Sequence, residues 1–254
     1  MTTGVDQPSI EPVKPAPAKP NPIQRIVGVF LSPVETLRSI ADRPDITVPL
    51  IVVILISFAS VILIVPHLDF AADMQARVAA SGKVPNAQAE QGMRIGLAIV
   101  KAAFYMSPFF VALSWAVYSA IVLLLFRLFG SEGTFPQAYS VKVYASFPLI
   151  VRGIIGVIVG MSRGKIPLSE FATIVRSNLG FLADMKRNPV LFTLLSSVDV
   201  FVIWSLILAV IGYGFVFRVP RSRSATVVGL LWIGALLLAV GAAALGTLGA
   251  KARA

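Results

Sequence analysis

Five long apolar segments dominate the pattern of hydrophobic and polar positions along the chain. Each supplies about the 20 mostly apolar residues that a helix needs to cross a hydrocarbon core about 30 Å thick. Backbone groups inside a bilayer must be satisfied within the segment itself, so the segments predict transmembrane helices. We therefore expect an all-α fold, a polytopic membrane bundle of five transmembrane helices with short interfacial amphipathic helices. The predicted spans cover residues 48–66, 103–127, 143–160, 190–217 and 226–248.

The chain divides into three parts by composition. Residues 1–22 are rich in proline and poor in large apolar side chains, which predicts a disordered tail. Residues 23–47 show apolar positions at helical spacing and predict amphipathic helices that lie in the membrane interface. Residues 48–249 hold the five predicted spans and form the transmembrane domain.

The second of the interfacial helices has clear start and stop signals. Ser32 and Glu35 have the spacing of a capping box, and Pro33 between them is suited to the first helical position. Its apolar face would hold Leu37 and Ile40, and the helix should end before Pro44 because the residue preceding a proline disfavours helical backbone.

Two loops carry further helical patterns. A helical pattern over residues 95–129 is longer than a span, so the second helix should project beyond the bilayer and pair with a helix in residues 69–81. Residues 167–176 place apolar side chains on one face and predict another short amphipathic helix.

Charge and composition limit the classes of partner that are expected. The chain has 254 residues, of which 57% are hydrophobic and 13% charged, with a formal net charge of +10. The Lys and Arg residues are spread over every loop, which is typical of contacts with lipid head groups. The lipid bilayer is therefore the expected partner, and no nucleic acid is expected.

Enzyme motifs are missing from the sequence. His67 is the single histidine and there is no cysteine, so neither a multi-histidine metal site nor a Ser-His-Asp triad can form. The run Gly160–Ile166 has glycines like those of a phosphate loop, but Ile166 stands where a magnesium-binding Ser or Thr is needed. We expect no catalytic residues, no cofactor and no metal, and hence no enzyme.

Two charges lie within predicted spans. Arg152 and Asp199 each follow the start of their span by nine residues, about 14 Å at 1.5 Å per residue, which is near the midplane. Because an intramembrane charge is costly, each should face the bundle and find a partner. We predict that the two form an ion pair or share a polar cluster with Ser196, Ser197 and Tyr144. Two interpretations stay open, a pair that fixes helix packing and an ion or proton relay.

Small residues recur on two of the predicted spans. Small residues four positions apart permit close backbone contact, within the bundle or in a dimer, so helix packing is expected at Gly153, Gly156, Gly160, Gly241, Ala242 and Gly246.

Several of these segments, in their order, resemble the Yip (Ypt-interacting protein) domain. The Ser-Pro-x-Glu-Thr start from Ser32 resembles the family's opening, the approach to Pro148 resembles its third helix, and the Asp-x-Phe-x-x-Trp segment resembles its fourth. The resemblance covers roughly residues 25–248 and has the style of the prokaryotic branch. The residues that carry it are Ser32, Pro33, Glu35, Pro148, Asp199, Phe201 and Trp204.

The resemblance implies a location and an orientation. It implies five helices in a bacterial cytoplasmic (inner) membrane, with the N-terminus in the cytoplasm and the C-terminus across the membrane. Counting Lys and Arg near the spans favours the opposite orientation. Eukaryotic relatives bind Rab-type GTPases, so GTPase binding is expected by family analogy only.

Two functions compete. The first is a non-enzymatic integral membrane scaffold or adaptor that organises or shapes membrane, or supports another membrane complex, with another membrane protein or a second copy of itself as partner. The alternative is a channel or transporter, or an auxiliary permease subunit, with a polar path at Arg152 and Asp199.

Overall fold

The fold is built from helices. The computed structural model describes residues 21–81, 87–171, 173–185 and 187–251; the predicted tail falls almost wholly on residues 1–20, outside this range. In chain order the helices are α1 Pro22–Leu31, α2 Pro33–Asp42, α3 Thr47–Ile64, α4 Ala72–Ser81, α5 Ala87–Leu128, α6 Phe135–Ala145, α7 Phe147–Ser162, α8 Leu168–Phe171, α9 Pro189–Ser196, α10 Val200–Val216 and α11 Arg221–Lys251. Two 3₁₀ helices lie at Val65–His67 and Leu179–Leu182, and strand β1 Leu68–Asp69 pairs in parallel with β2 Ile166–Pro167.

Four helical stretches are long and apolar enough to cross a membrane, by length and composition. They are Thr47–His67, Ala87–Leu128, Phe135–Ser162 and Arg221–Thr247. Helix α10 is apolar but has 17 residues, short of the usual span. The all-helical membrane fold is therefore confirmed, and the count of five spans stays a prediction.

The third predicted span begins earlier than residue 143. Thr134 and Gln137 form a capping box, in which the Thr134 amide donates to Gln137 Oε1 at 2.9 Å, and the helix starts at Phe135. Lys142 thus lies inside the apolar stretch. Helices α6 and α7 meet at Ser146, where Pro148 lacks the amide donor that a continuous helix would need.

The fourth predicted span is wrong as a single continuous helix. Helix α9 ends at Ser196 and α10 begins at Val200. The broken backbone pairs with the loop before α9: the Val200 amide donates to Ser177 O at 3.1 Å, and the Leu179 amide donates to Val198 O at 3.3 Å. This pairing satisfies backbone groups that a break in an apolar segment would otherwise leave free.

Helices α1 and α2 form a hairpin joined at Ser32. Helix α2 starts at Pro33 and ends at Asp42, as predicted, but the predicted capping box is wrong: Ser32 makes no side-chain cap and its φ and ψ are −143° and 65°. Leu37 and Ile40 are fully buried, as predicted for the apolar face. They pack against protein rather than membrane, since α2 lies against α10 and α6.

The further helices predicted in and beside the loops are present, but one of them is shorter than predicted. Helix α5 has 42 residues, about 63 Å at 1.5 Å per residue, and so exceeds the bilayer as predicted. Helix α4 precedes it in the predicted position, with residues 82–86 outside the described part. The predicted helix over 167–176 is shorter: among the described residues of this range the helix covers Leu168–Phe171, and the preceding pair of residues joins β1.

The buried apolar residues gather in two clusters. The larger lies where α2, α6 and α10 meet the second half of α5, around Leu37, Val122, Tyr144 and Leu208. The smaller lies at the other end of the bundle, where Ile64 meets Val157 and Ile166. The polar groups considered next lie on α7 and at the start of α10.

Candidate functional site: an ion pair at a broken helix

The break between α9 and α10 places a carboxylate at the first position of a helix. Asp199 is the N-cap of α10, and its Oδ1 accepts hydrogen bonds from the amides of Phe201 at 2.8 Å and Val202 at 3.3 Å. A side-chain oxygen at this position satisfies amides that have no partner within the helix. The local reason for the break is thus Asp199 itself, which is a favoured N-cap residue.

The second oxygen of Asp199 binds two side chains from other elements. Arg152 Nε on α7 lies 3.1 Å from Asp199 Oδ2, and Ser177 Oγ donates to the same oxygen at 2.5 Å. Arg152 Nε also donates to Ser177 Oγ at 3.2 Å. The three side chains form a closed triangle, which we call the Arg152–Ser177–Asp199 cluster.

The two charges differ in their access to the surroundings. The side chain of Asp199 is 2% exposed and that of Arg152 is 32% exposed. The N-terminal end of α10, which is the positive end of its dipole, and the guanidinium of Arg152 both place positive charge beside the carboxylate. With four donors on its two oxygens, the Asp199 carboxylate has most of its hydrogen-bonding capacity in use.

The predicted ion pair is therefore present, but its predicted neighbours are not. Ser197 Oγ donates to Leu194 O at 2.6 Å within its own helix. Ser196 Oγ and Tyr144 Oη are buried without a hydrogen-bond partner. Ser177 takes their place, and no signal in the sequence marks it, since its contact depends on how a loop returns to the bundle.

The depth of the ion pair in the structure also differs from the predicted position near the midplane. Arg152 is 17 residues from Phe135 and 10 residues from Ser162, the two ends of its apolar stretch. At 1.5 Å per residue these separations are about 25 Å and 15 Å along the helices. The pair lies past the middle of the stretch, on the side of the loops that follow α3 and α7.

The predicted packing glycines separate into two groups. A Cβ added at Gly160 would lie 2.5 Å from Ile64 Cδ1, and Gly156 faces Ile174 and Val175, so these two permit close contact within the bundle. The others have no close neighbour in the part of the chain that the structure describes: a Cβ at Gly153, Gly241 or Gly246 would meet nothing within 4 Å, and Ala242 is exposed.

The remaining motif residues have structural positions. Pro148 marks the junction of α6 and α7, where Ser205 Oγ donates to Ala145 O at 2.6 Å. The ring of Trp204 meets that of Phe30 edge to face at 5.3 Å between centroids. Phe201 supplies one amide to Asp199, Pro33 begins α2, Ser32 joins α1 to α2, and Glu35 is exposed.

Two cavities lie at the ends of the bundle. One of about 1260 Å³ is lined by the loops around α8 and α9, including Arg163, Glu170 and Arg176. The other, of about 510 Å³, lies between Asp42 and Arg218. Neither lining includes Arg152 or Asp199. Within the described part of the chain, no three His, Cys, Asp or Glu side chains gather as metal ligands.

No curated protein and no solved structure matches this chain. The model of one protein family does, and the match has nearly the extent that the motif resemblance suggested. It is the Yip1 domain, which matches residues 27–243. The chain therefore belongs to the Yip1 domain family.

Proposed function

We propose that the protein is a non-enzymatic integral membrane scaffold, which organises or shapes the membrane or supports another membrane complex. The observation that carries this proposal is the state of the Asp199 carboxylate. Both of its oxygens accept from donors on three chain segments, so the carboxylate is engaged within the fold rather than free for a substrate.

The outer surface of α11 supports the partner part of the proposal. Gly234, Gly241 and Gly246 have no side chain of the described residues against them, and large apolar side chains between them are exposed. Small residues on a lipid-facing helix permit close approach of another helix. A second copy or another membrane protein is the expected occupant, and a GTPase is expected only from the family.

Purification of the full chain in mild detergent tests the scaffold role. We expect it to purify with a defined second subunit or as an oligomer, and Gly241→Leu with Gly246→Leu to weaken that association. Gly153→Leu is the matched control, because it adds the same side chain to open space on another helix. A protein that is always monomeric and solitary, and that leaves the shape of liposomes unchanged, would contradict the proposal.

A channel, a transporter or an auxiliary permease subunit is the second candidate. The break between α9 and α10 favours it, because transporters often place binding sites at interrupted membrane helices with charged groups beside them. Flux in proteoliposomes, compared between the natural chain and Asp199→Asn, tests it. Absence of flux under any imposed gradient would remove this candidate.

The location and the orientation of the protein in the membrane are also part of the proposal. We infer a bacterial cytoplasmic membrane as the location, with the N-terminus in the cytoplasm. Reactivity of single cysteines at each end of α11 with a membrane-impermeant reagent, in intact cells and in inverted vesicles, gives the orientation, since the chain has no cysteine of its own.

A further inference from the structure

The hairpin of α1 and α2 stands along the bundle instead of lying across it. The two helices are antiparallel: Arg25 near the start of α1 donates to Ser39 O and Arg43 O near the end of α2, at 3.2 and 2.9 Å. Closer to the turn, Gly28 lies against Thr36, where an added Cβ would be 2.4 Å from Thr36 Oγ1. The hairpin therefore has a closed tip at Leu31 and Ser32 and an open end at Asn21 and Arg43.

Contacts with α10 give the direction of the hairpin. Arg38 lies over the ring of Phe215 at 5.0 Å, and the ring of Phe30, next to the tip, lies 5.3 Å from that of Trp204. Trp204 and Phe215 are 11 residues apart on one apolar helix, about 16 Å along its axis. Leu37 contacts α10 between them, at Gly212. The tip thus points along α10, away from the end at Phe217.

The open end of the hairpin lies at a charged end of the bundle. Asp42 shares a cavity with Arg218 and Arg223, and Gln137 Nε2 at the start of α6 donates to Ala41 O at 2.8 Å. Neighbouring arginines such as Arg218 and Arg223 are typical of the head-group region of a membrane. Moving from there toward the tip means moving into the apolar length of α10.

One face of α1 is apolar over its whole length. No other part of the described protein covers this face. Ile23, Val27 and Leu31 are 60%, 51% and 80% exposed. They follow one another at intervals of four residues, so they form a single stripe from open end to tip. On α10, near Trp204, Ile203 and Ile207 are exposed as well, at 46% and 53%.

We propose that the α1–α2 hairpin is a re-entrant element that enters one leaflet from the arginine-rich end, with its Ile23–Val27–Leu31 stripe running from the head-group boundary at Ile23 to the acyl chains at Leu31. If the hydrocarbon begins near Arg38, the six residues to Ser32 place the tip about 9 Å deep, within a leaflet about 15 Å thick. Glu35 is then one turn below Arg38, about 4.5 Å inside the boundary of the hydrocarbon. This inference goes beyond the scaffold role and stands whether or not the protein has partners.

The stripe itself supplies the test. Single-cysteine variants Ile23→Cys, Val27→Cys and Leu31→Cys of the full chain are spin-labelled and reconstituted in phosphatidylcholine–phosphatidylglycerol liposomes, with Asp42→Cys as the water-facing control. Collision of each label with oxygen, which concentrates in hydrocarbon, is compared with collision with a water-soluble nickel chelate. All three positions are exposed, so the substitutions should leave the fold intact, and unchanged elution and thermal unfolding in detergent check this.

A standing hairpin predicts a gradient. The ratio of oxygen to nickel collisions should rise stepwise from residue 23 to 27 to 31, since each step of four residues moves the label about 6 Å deeper. Equal, high ratios at all three positions would mean a helix lying flat in the interface and would overturn the proposal. Equal, low ratios close to that of residue 42 would mean a hairpin in water and would overturn it too.

Discussion

Ser205 Oγ donates a 2.6 Å hydrogen bond to the carbonyl oxygen of Ala145, 60 residues away in the chain. The junction of α6 and α7 at Ser146, enforced by Pro148, removes the regular helical donors from this region. The hydroxyl on α10 therefore replaces a donor that the bent helix has lost. Both groups are buried, so the bond ties the bend in one apolar stretch to the neighbouring helix.

Ser205→Ala should destabilise the bundle by about 1 kcal/mol, because the Ala145 carbonyl would lose its partner in a buried site. The measurement is thermal or denaturant-induced unfolding in mild detergent. Ser114→Ala is the control, since the Ser114 hydroxyl bonds within its own helix at an exposed position. Equal destabilisation by both substitutions would show that the Ser205 hydrogen bond contributes no more to stability than that of the exposed Ser114.

Gly212→Ala should destabilise the packing of α10 on α6. An added Cβ would lie 2.5 Å from Val141 Cγ1 and 3.3 Å from Leu37 Cδ2, so the helices would have to separate, at a cost of about 1–3 kcal/mol. Gly153→Ala is the matched control on a neighbouring helix. It meets nothing within 4 Å and should be neutral or stabilising by up to about 1 kcal/mol. Unfolding midpoints that shift in the same direction in both variants would contradict the packing described here.

Asp199→Ala should cost more stability than Arg152→Ala. Removing Asp199 takes away the cap of α10, worth about 0.5–2 kcal/mol, and leaves the guanidinium of Arg152 without its counter-ion. Removing Arg152 leaves a carboxylate that still has three donors. Asp199→Asn should be intermediate, because asparagine caps a helix without the charge.

The double variant of Arg152 and Asp199 measures the coupling between the two side chains. We expect the unfolding free energies to be non-additive, since each single change leaves a partner behind. The exposed pair of Arg163 and Glu170, 3.8 Å apart, is the reference, and its coupling should be at most about 1 kcal/mol. Additive single changes at Arg152 and Asp199 would argue against a structural role for the pair.

Arg25→Met should loosen the hairpin without unfolding the bundle. The methionine keeps much of the apolar stem but loses the two donors that hold Ser39 O and Arg43 O at the end of α2. Hydrogen exchange of the α1 amides should become faster, while exchange in α10 stays slow. Arg43→Met serves as the control, because the exposed Arg43 takes part through its backbone carbonyl. Unchanged exchange in α1 would mean that apolar contacts alone close the hairpin.

The ion pair could be predicted from the sequence, since two charges at equal depth in consecutive antiparallel helices have few other partners. Its third member could not. Ser177 reaches Asp199 because residues 177–179 pair with residues 198–200, and the return of an irregular loop has no periodic signature.

The sequence does contain a signal for the break between α9 and α10, but a prediction from hydropathy overlooks it. Asp199 follows Ser196, Ser197 and Val198 and directly precedes an apolar run, which is the pattern of an N-cap. A window of apolar residues averages over such a position, so it predicted one helix where there are two. The early start of the third span was signalled in the same way, by Thr134 and Gln137.

The hairpin shows the limit of local patterns most directly. Ser32 and Glu35 have the spacing of a capping box, yet Ser32 serves as the turn between two helices and its side chain caps neither. The apolar face of α2 was predicted correctly, but amphipathicity alone does not distinguish a membrane surface from the side of another helix.

The Arg152–Ser177–Asp199 cluster has a consequence for biosynthesis. Arg152 is made 47 residues before Asp199, and neither charge is compensated until both segments are in the bilayer. We therefore expect the helix that carries Arg152 to remain beside the insertion machinery until the segment after Asp199 arrives, so that the two enter the lipid together. A nascent chain in which residue 196 has just left the ribosome should leave the machinery less completely than one in which residue 220 has left it, and cross-linking of the stalled chains to the translocation channel would measure the difference.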